Sequence, residues 1–369
     1  MTEEAHGRGP VPAVVFLLTL LAMVSCASAR ASGTGAGRMA GEPEAAVRVS
    51  LVFFIHGDGD YLYHDDAGRA LRADEAALSG AQHAAEANPQ AEVFIFHEKR
   101  KTRAWLFFPK HDGEFFYYRG GVLAAHEEYR RGSHPSQFAY AAGRYRRFRS
   151  HGEGDVTTIV LYYGHEIPET GGEGYHASYE DMPFTIDTLA AGLRLMQEGG
   201  APFDIAVVST CYNGTPRSIA ALAPYARYII ASPDNLHLSY FTFHSFALPE
   251  SAASGATSAA LARTMARDAF ETLSRTVQTA VSVAVYDAQL VQPYIQSVDS
   301  LYARSLEALK EHPDAVRDHC DCAQRSGFSA PDMGRGVDIF YRPARFGQKK
   351  SAAAHSGWEC WNIPDGRSE

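Results

Sequence analysis

The stretches VTTIVLYYGH (Val156–His165) and DIAVVSTCYNG (Asp204–Gly214) decide the fold. Each begins as an apolar, β-branched run of strand length and ends in a turn bearing a potentially reactive side chain. That side chain is His165 in the first and Cys211 in the second. Between them, the spacing of apolar residues predicts an amphipathic helix over Phe184–Gln197. Strand, helix, strand is the repeating unit of a parallel sheet with right-handed crossovers. In open sheets of that kind the functional crevice lies beyond the carboxyl ends of the strands. Two neighbouring strands would therefore bring His165 and Cys211, 46 residues apart, to one sheet edge.

Working outward, the pattern continues on both sides. Val47–Ile55 (VRVSLVFFI) reads as a buried strand ending at the turn-rich His56-Gly57-Asp58-Gly59-Asp60. A helix is expected from Asp65 to about Ala87, and a second strand over Glu92–His97. Ala104–Phe108 and Glu114–Arg119 flank the turn at Lys110–Gly113 and suggest a hairpin. Pro135–Ser150 reads as helix with a basic cluster, Arg144–Arg149, expected on a solvated face. After Cys211 come a helix over Pro216–Ala226 and a short strand, Tyr228–Ala231. Ala256 to about Glu311 reads as mostly helical with a break near Pro293, and Gly336–Tyr341 as a last strand. The expectation is one α/β domain over residues 47–345, with a mostly parallel central sheet, a helical C-terminal addition and a tail over 346–369.

The chain has 369 residues, 34 Lys and Arg against 43 Asp and Glu, and a formal charge of -9. That balance argues against a sequence-independent nucleic-acid binder, which needs a basic face. Residues 13–26 (AVVFLLTLLAMVSC) form an apolar run too short to span a bilayer comfortably, and small residues Ala27–Ala29 follow. Residues 1–29 therefore read as a signal peptide. Met23-Val24-Ser25-Cys26 also resembles a lipobox, in which cleavage before Cys26 would leave a lipidated N-terminus tethered to a membrane. Residues 30–46 are rich in Gly, Ala and Ser and read as a flexible linker. The expected location is extracytoplasmic: periplasmic, cell-surface or secreted. In an oxidising compartment Cys360 could pair with Cys320 or Cys322. Zinc on these thiols and His319 fits no standard ligand spacing.

A thiol is mostly protonated near neutral pH, so a nucleophilic Cys needs a nearby base or cation. His165 could take the Cys211 proton and later return it to a leaving amine. The backbone N–H groups of Glu166 and Cys211 are candidates to hold the oxyanion.

These residues resemble cysteine peptidases of the caspase clan, where a His lies roughly 50 residues before the Cys. Cys211-Tyr212-Asn213-Gly214 is similar to the Cys-x-x-Gly elbow of several of its branches. Over a longer span the chain resembles the clostripain-like branch. Asp58-Gly59-Asp60-Tyr61-Leu62 approximates that branch's early turn, Tyr228–Ser232 its strand with a Ser-bearing turn, and Gly336–Phe340 its closing strand. The resemblance implies a caspase-like (caspase–hemoglobinase) αβα sandwich and a cysteine endopeptidase acting on peptides or proteins through a His165–Cys211 dyad. It places Ser209, Ser232 and Asp234 on the substrate side. No cofactor is implied beyond calcium, which the resemblance alone suggests.

Two positions depart from that pattern. Glu166 follows the base where the family has Gly, and Ser209 stands two residues before the Cys where the family tends to carry Asp. Basic substrate preference is thus not inherited. Two other function classes stay open. One is an inactive binding module on the same fold. The other is an α/β-hydrolase-like esterase using Cys211 with Asp287 and His312, although no G-x-S-x-G elbow occurs. The acidic, His-containing segment around His56–Asp66 reads as a turn with an acidic helix start rather than a metal site. The sequon Asn213-Gly214-Thr215 reads as incidental.

Overall fold

Strand β1 (Val49–Gly57) is buried at every position. A strand apolar on both faces must be covered by helices on both sides, which fixes a three-layer architecture. The computed structural model describes residues 47–59, 62–64, 70–104, 108–134, 136, 138–150, 156–197, 200–236, 257–292, 320–321, 336–347 and 359–360. The signal segment with Cys26, the linker to residue 46, Pro293–Glu311, His312, His319 and Cys322 lie outside them.

After β1 the main sheet gains β2 (Ala91–Lys99), β3 (Gly113–Arg119), β4 (Val122–Tyr129), β5 (Thr157–Tyr163) and β6 (Phe203–Ser209). It is completed by β7 (Ala226–Ala231), β8 (Val281–Asp287) and β9 (Val337–Arg342). Their spatial order is β9-β8-β7-β6-β5-β1-β2-β3-β4. The five central strands, β7 through β2, are mutually parallel, and an antiparallel pairing closes each flank twice over. The chain goes from β1 to β2 on one side and then returns to β5 on the other. The strand order therefore reverses between β1 and β5, the point beyond whose strand ends open sheets of this kind place their functional crevice.

Helices α1 (Ala73–Glu86) and α5 (Ser258–Thr276) cover one face; α2 (Ala139–Phe148), α3 (Ile186–Gln197) and α4 (Pro216–Leu222) cover the other. Alternate residues of a strand sort to the two layers. Leu51, Phe53 and Ile55 join the α1–α5 core, while Val52 and Phe54 join the other. On α1 the sheet-facing stripe is Ala77, Ala81, Ala84 and Ala85, small side chains that let the helix lie close to the strands. Helix α4 starts at Thr215, whose hydroxyl accepts the Ser218 N–H at 3.1 Å, with Pro216 in the first turn.

The expected αβα sandwich is present. Local expectations failed in four places. The helix expected from Asp65 starts only at Ala73, because Ala70–Arg72 pairs as an antiparallel strand with Leu62–His64. The hairpin lies between β3 and β4, across Gly120-Gly121, and not across Lys110–Gly113. Both glycines have positive φ (60° and 79°), as a two-residue hairpin turn requires. Strand β4 escaped notice because it is a charged edge strand, with Val122 62% exposed and Glu127 and Glu128 along it. Val281–Asp287 is a strand inside the stretch read as helix, and it pairs with both β7 and β9. Among the described residues no helix is long and apolar enough to cross a membrane.

Candidate active site

Tyr163 on β5 is the register partner of Ser209 on β6, so the two strands run side by side at an offset of 46 residues. His165 and Cys211 each stand two positions beyond that pair. The same offset persists past the strands. Asn213 accepts the Ile167 N–H at 2.9 Å on Oδ1 and donates from Nδ2 to the Ile167 carbonyl at 2.9 Å. Thr215 then donates to Glu169. The His165 and Cys211 loops are thus bracketed below by strand pairing and above by an amide clamp.

The nucleophile loop is also pinned on its far side. Tyr212 has a left-handed backbone (φ 53°), the one such non-glycine residue among those described, and its N–H donates to the Asp234 carbonyl at 3.1 Å. Gly214 donates to the Ser232 carbonyl at 2.8 Å and accepts the Tyr286 hydroxyl at 3.0 Å. A Cβ at Gly214 would fall 2.6 Å from the Pro233 nitrogen, so only glycine fits this approach. The Cys-x-x-Gly pattern therefore has a steric origin here.

His165 is held through its backbone, whose carbonyl accepts the Tyr175 hydroxyl at 3.3 Å. Tyr175 belongs to a loop fastened to β1. Asp58 accepts the Ser178 N–H at 3.1 Å and hydroxyl at 2.6 Å, and the Ala177 N–H donates to the Asp58 carbonyl at 2.9 Å. Arg131, buried, pairs with Asp58, with Glu98 at 3.1 Å and with Asp112 at 3.6 Å. His56 Nε2 and His176 Nδ1 share a hydrogen bond at 2.9 Å. Burial, then the Arg131 charge, lowers His176 to about 4; burial, then His176, sets His56 well below the usual histidine range. Both imidazoles are neutral at physiological pH.

Burial pushes the Cys211 thiol up, and the carboxylates of Glu166 and Asp234 push the same way. Its sulfur lies 3.1 Å from the Leu236 carbonyl oxygen and 3.4 Å from Asn235 Oδ1. Partial burial lowers His165 from the usual histidine value. Both members of the pair are therefore neutral in this conformation.

Ser209 and Ser232 are each 1% exposed. Ser232 Oγ lies 2.8 Å from the Asp234 carbonyl and 2.7 Å from that of Ser282, so it builds the turn that receives Gly214. Asp234 is 5% exposed and accepts the Asn235 N–H at 2.8 Å. Asn213 is 1% exposed and spends its amide on Ile167, so its sequon is closed in the folded chain. Arg144 and Arg149 lie over the rings of Tyr140 and Tyr145, so the basic cluster packs as well as faces solvent. Asp287 ends an antiparallel strand and is the register partner of Tyr228, near the start of β7. It therefore sits at the opposite sheet edge from Cys211, and the hydrolase-like triad through Asp287 is excluded. The group that could hold a metal among the described residues is His56, Glu98 and His176, with ligand atoms within 4.8 Å. Arg131 Nη1 stands 3.1 Å from Glu98 and 3.4 Å from His176, so a guanidinium already supplies positive charge there.

The Asn213–Ile167 clamp, Tyr175 and the Arg131 network were not anticipated from the sequence. The clamp alone left a trace, since Asn213 follows Cys211 by the same two residues as Ile167 follows His165.

Residues 150–329 match the Clostripain family of C11 peptidases. The fold is similar to that of a secreted C11 cysteine protease from Bacteroides thetaiotaomicron, iotapain (13% identity, 85% of this chain and 93% of that one, TM-score 0.53). It is similar also to an inactive zymogen C11 protease from Parabacteroides distasonis (14% identity, 87% and 93%, TM-score 0.52). No curated protein matches the chain.

Proposed function

We propose that this chain, a clostripain-like cysteine peptidase of the caspase clan, cleaves peptide bonds with Cys211 as nucleophile and His165 as base. The observation that carries the assignment is the shared offset of the two loops, from Tyr163 opposite Ser209 to Ile167 bonded to Asn213. His165 takes the thiol proton as Cys211 attacks the carbonyl carbon of the scissile bond. The backbone N–H groups of Glu166 and Cys211 receive the negative oxygen of the tetrahedral intermediate. Collapse expels the amine, which leaves with the proton from His165, and a thioester remains. Water, deprotonated by the same imidazole, then releases the acid and regenerates the thiol. This chemistry needs no cofactor, and calcium finds support only in the family resemblance.

Peptide or protein is the substrate class. Asp234 lends the substrate side an acidic group, whereas Ser209 and Ser232 act from behind by fixing the loops that carry it. The signal-like N-terminus and the secreted C11 proteases of like fold support an extracytoplasmic enzyme, with a lipid tether at Cys26 as one form of export. A catalytically silent binding module is the second reading, favoured by the Leu236 carbonyl against the thiol and by Glu166 beside it. An acyloxymethyl-ketone peptide probe separates the two on the purified chain, on Cys211→Ala and on His165→Ala. Labelling lost in both variants, with peptide turnover in the parent, is expected. Labelling of Cys211 that persists without His165 removes the dyad, and an intact fold with no turnover of a peptide library leaves the binding module.

A further inference from the structure

Outside the main sheet the chain makes a small antiparallel pairing between Cys320–Asp321 and Glu359–Cys360. Its register sets Cys320 directly opposite Cys360. Directly opposed residues in such a pair have Cα atoms about 4.5 or 5.5 Å apart, and disulfides form at about 4.4–6.8 Å, so either ladder position is within range. Diagonal neighbours stand about 7–8 Å apart, beyond easy bridging. The register thus singles out Cys320 as the partner of Cys360 among thiols that the sequence leaves equivalent.

We infer that Cys320 and Cys360 form a disulfide that clasps the sheet edge. The chain between them contains all of β9, which is the outermost strand on its side and is bonded to β8 alone. A short edge strand with one neighbour has the fewest backbone bonds in the sheet. A covalent tie across its two flanks limits how far it can peel away. The oxidant is a glutathione-type disulfide. One Cys thiolate attacks it and releases a glutathione thiolate, and the second Cys thiolate then attacks the mixed disulfide and releases the other. The two protein thiols are oxidised, and the two protons they lose are taken up by the released glutathione thiolates, so two glutathione thiols result.

The test uses the purified full chain equilibrated with oxidised glutathione, alkylated without reduction and cleaved before Asp321, which separates Cys320 from Cys322. Mass spectrometry should find the Cys320 and Cys360 peptides joined, with Cys211 and Cys322 alkylated. Cys322→Ser should keep the link and Cys320→Ser should lose it. In Cys322→Ser, reductant should lower Tm by about 5–10 °C and speed amide exchange in β9. Joining of Cys322 to either partner, full alkylation of Cys360, or protection of the three thiols by zinc would each overturn the assignment. A link whose reduction leaves Tm and β9 exchange unchanged would overturn the clasp. Supplying the oxidant makes the result independent of where the protein resides and of whether it hydrolyses peptides.

Discussion

Asn213→Ala is the perturbation that tests how the two reactive loops are held. Its amide makes two bonds of 2.9 Å to the backbone of Ile167, and both residues are 1% exposed. Removing it leaves a buried N–H and a buried C=O without their partner. Each such group costs about 1–3 kcal/mol, so the variant should lose about 2–6 kcal/mol of stability. Against a typical total of about 5–15 kcal/mol this is large but survivable. Urea denaturation at pH 7.5, followed by fluorescence, reads the loss as a lower midpoint at unchanged slope. The kcat/KM of the folded fraction should fall as well, because the loops bearing Cys211 and His165 lose their upper brace. Asn213→Asp supplies the signature. The introduced carboxyl can still accept from Ile167 N–H, but when ionised it meets the Ile167 carbonyl with a second acceptor. Burial raises its pKa, so the folded state binds its proton more tightly than the unfolded state does. The variant should therefore recover stability relative to the parent as pH falls through the folded pKa. An alanine variant within 0.5 kcal/mol of the parent, or an aspartate variant with no such recovery, would refute the clamp.

Gly214→Ala should cost about 1–3 kcal/mol and depress turnover further, because its Cβ meets backbone at 2.6 and 2.7 Å, which cannot swing aside; thermal melts and peptide assays read both effects. Glu166→Gln removes a carboxylate that disfavours the Cys211 thiolate, so the pH profile of iodoacetamide alkylation should move to lower pH; a shift to higher pH or none contradicts that role. His176, held at about 4 against 6.5 unfolded, makes the unfolded chain bind the extra proton first. Its contribution is fully present above pH 6.5 and is lost as pH falls towards 4, by about 3 kcal/mol. His176→Gln should flatten that part of the urea-denaturation profile.

The central strands were legible because strands buried on both faces are written as unbroken apolar runs. Val156–Tyr163 and Asp204–Ser209 are of that kind, and their ends located His165 and Cys211. Strand β4 was not legible, since an edge strand keeps itself soluble with Glu127 and Glu128 and then reads as a loop. Strand β8 was hidden for another reason. Ser282 and Ala284 interrupt its apolar run, and it follows a long helix whose period masks the change to alternation. The Arg131 network left no trace at all. Asp58, Glu98, Asp112 and Arg131 come from four separate places in the chain, and only the sheet brings them together.

The arrangement also bears on when the proton moves. A thiolate–imidazolium pair requires the Cys pKa to fall below that of the His. Here the perturbations run the other way, since burial raises Cys211 and lowers His165, while Glu166 adds negative charge beside the sulfur. Ionising the resting thiol against both effects is uphill, so the proton is best transferred to His165 as the sulfur engages the carbonyl carbon. Substrate then does part of the work. In the proposed mechanism, substrate arriving beside Cys211 would displace the sulfur's contacts to Leu236 and Asn235, and the developing charge would pass to an oxygen facing backbone N–H groups. Glu166 opposes a free thiolate more than it opposes that oxyanion, because the charge has moved off the sulfur. A Glu after the base is in this way compatible with catalysis while keeping the unoccupied nucleophile protonated.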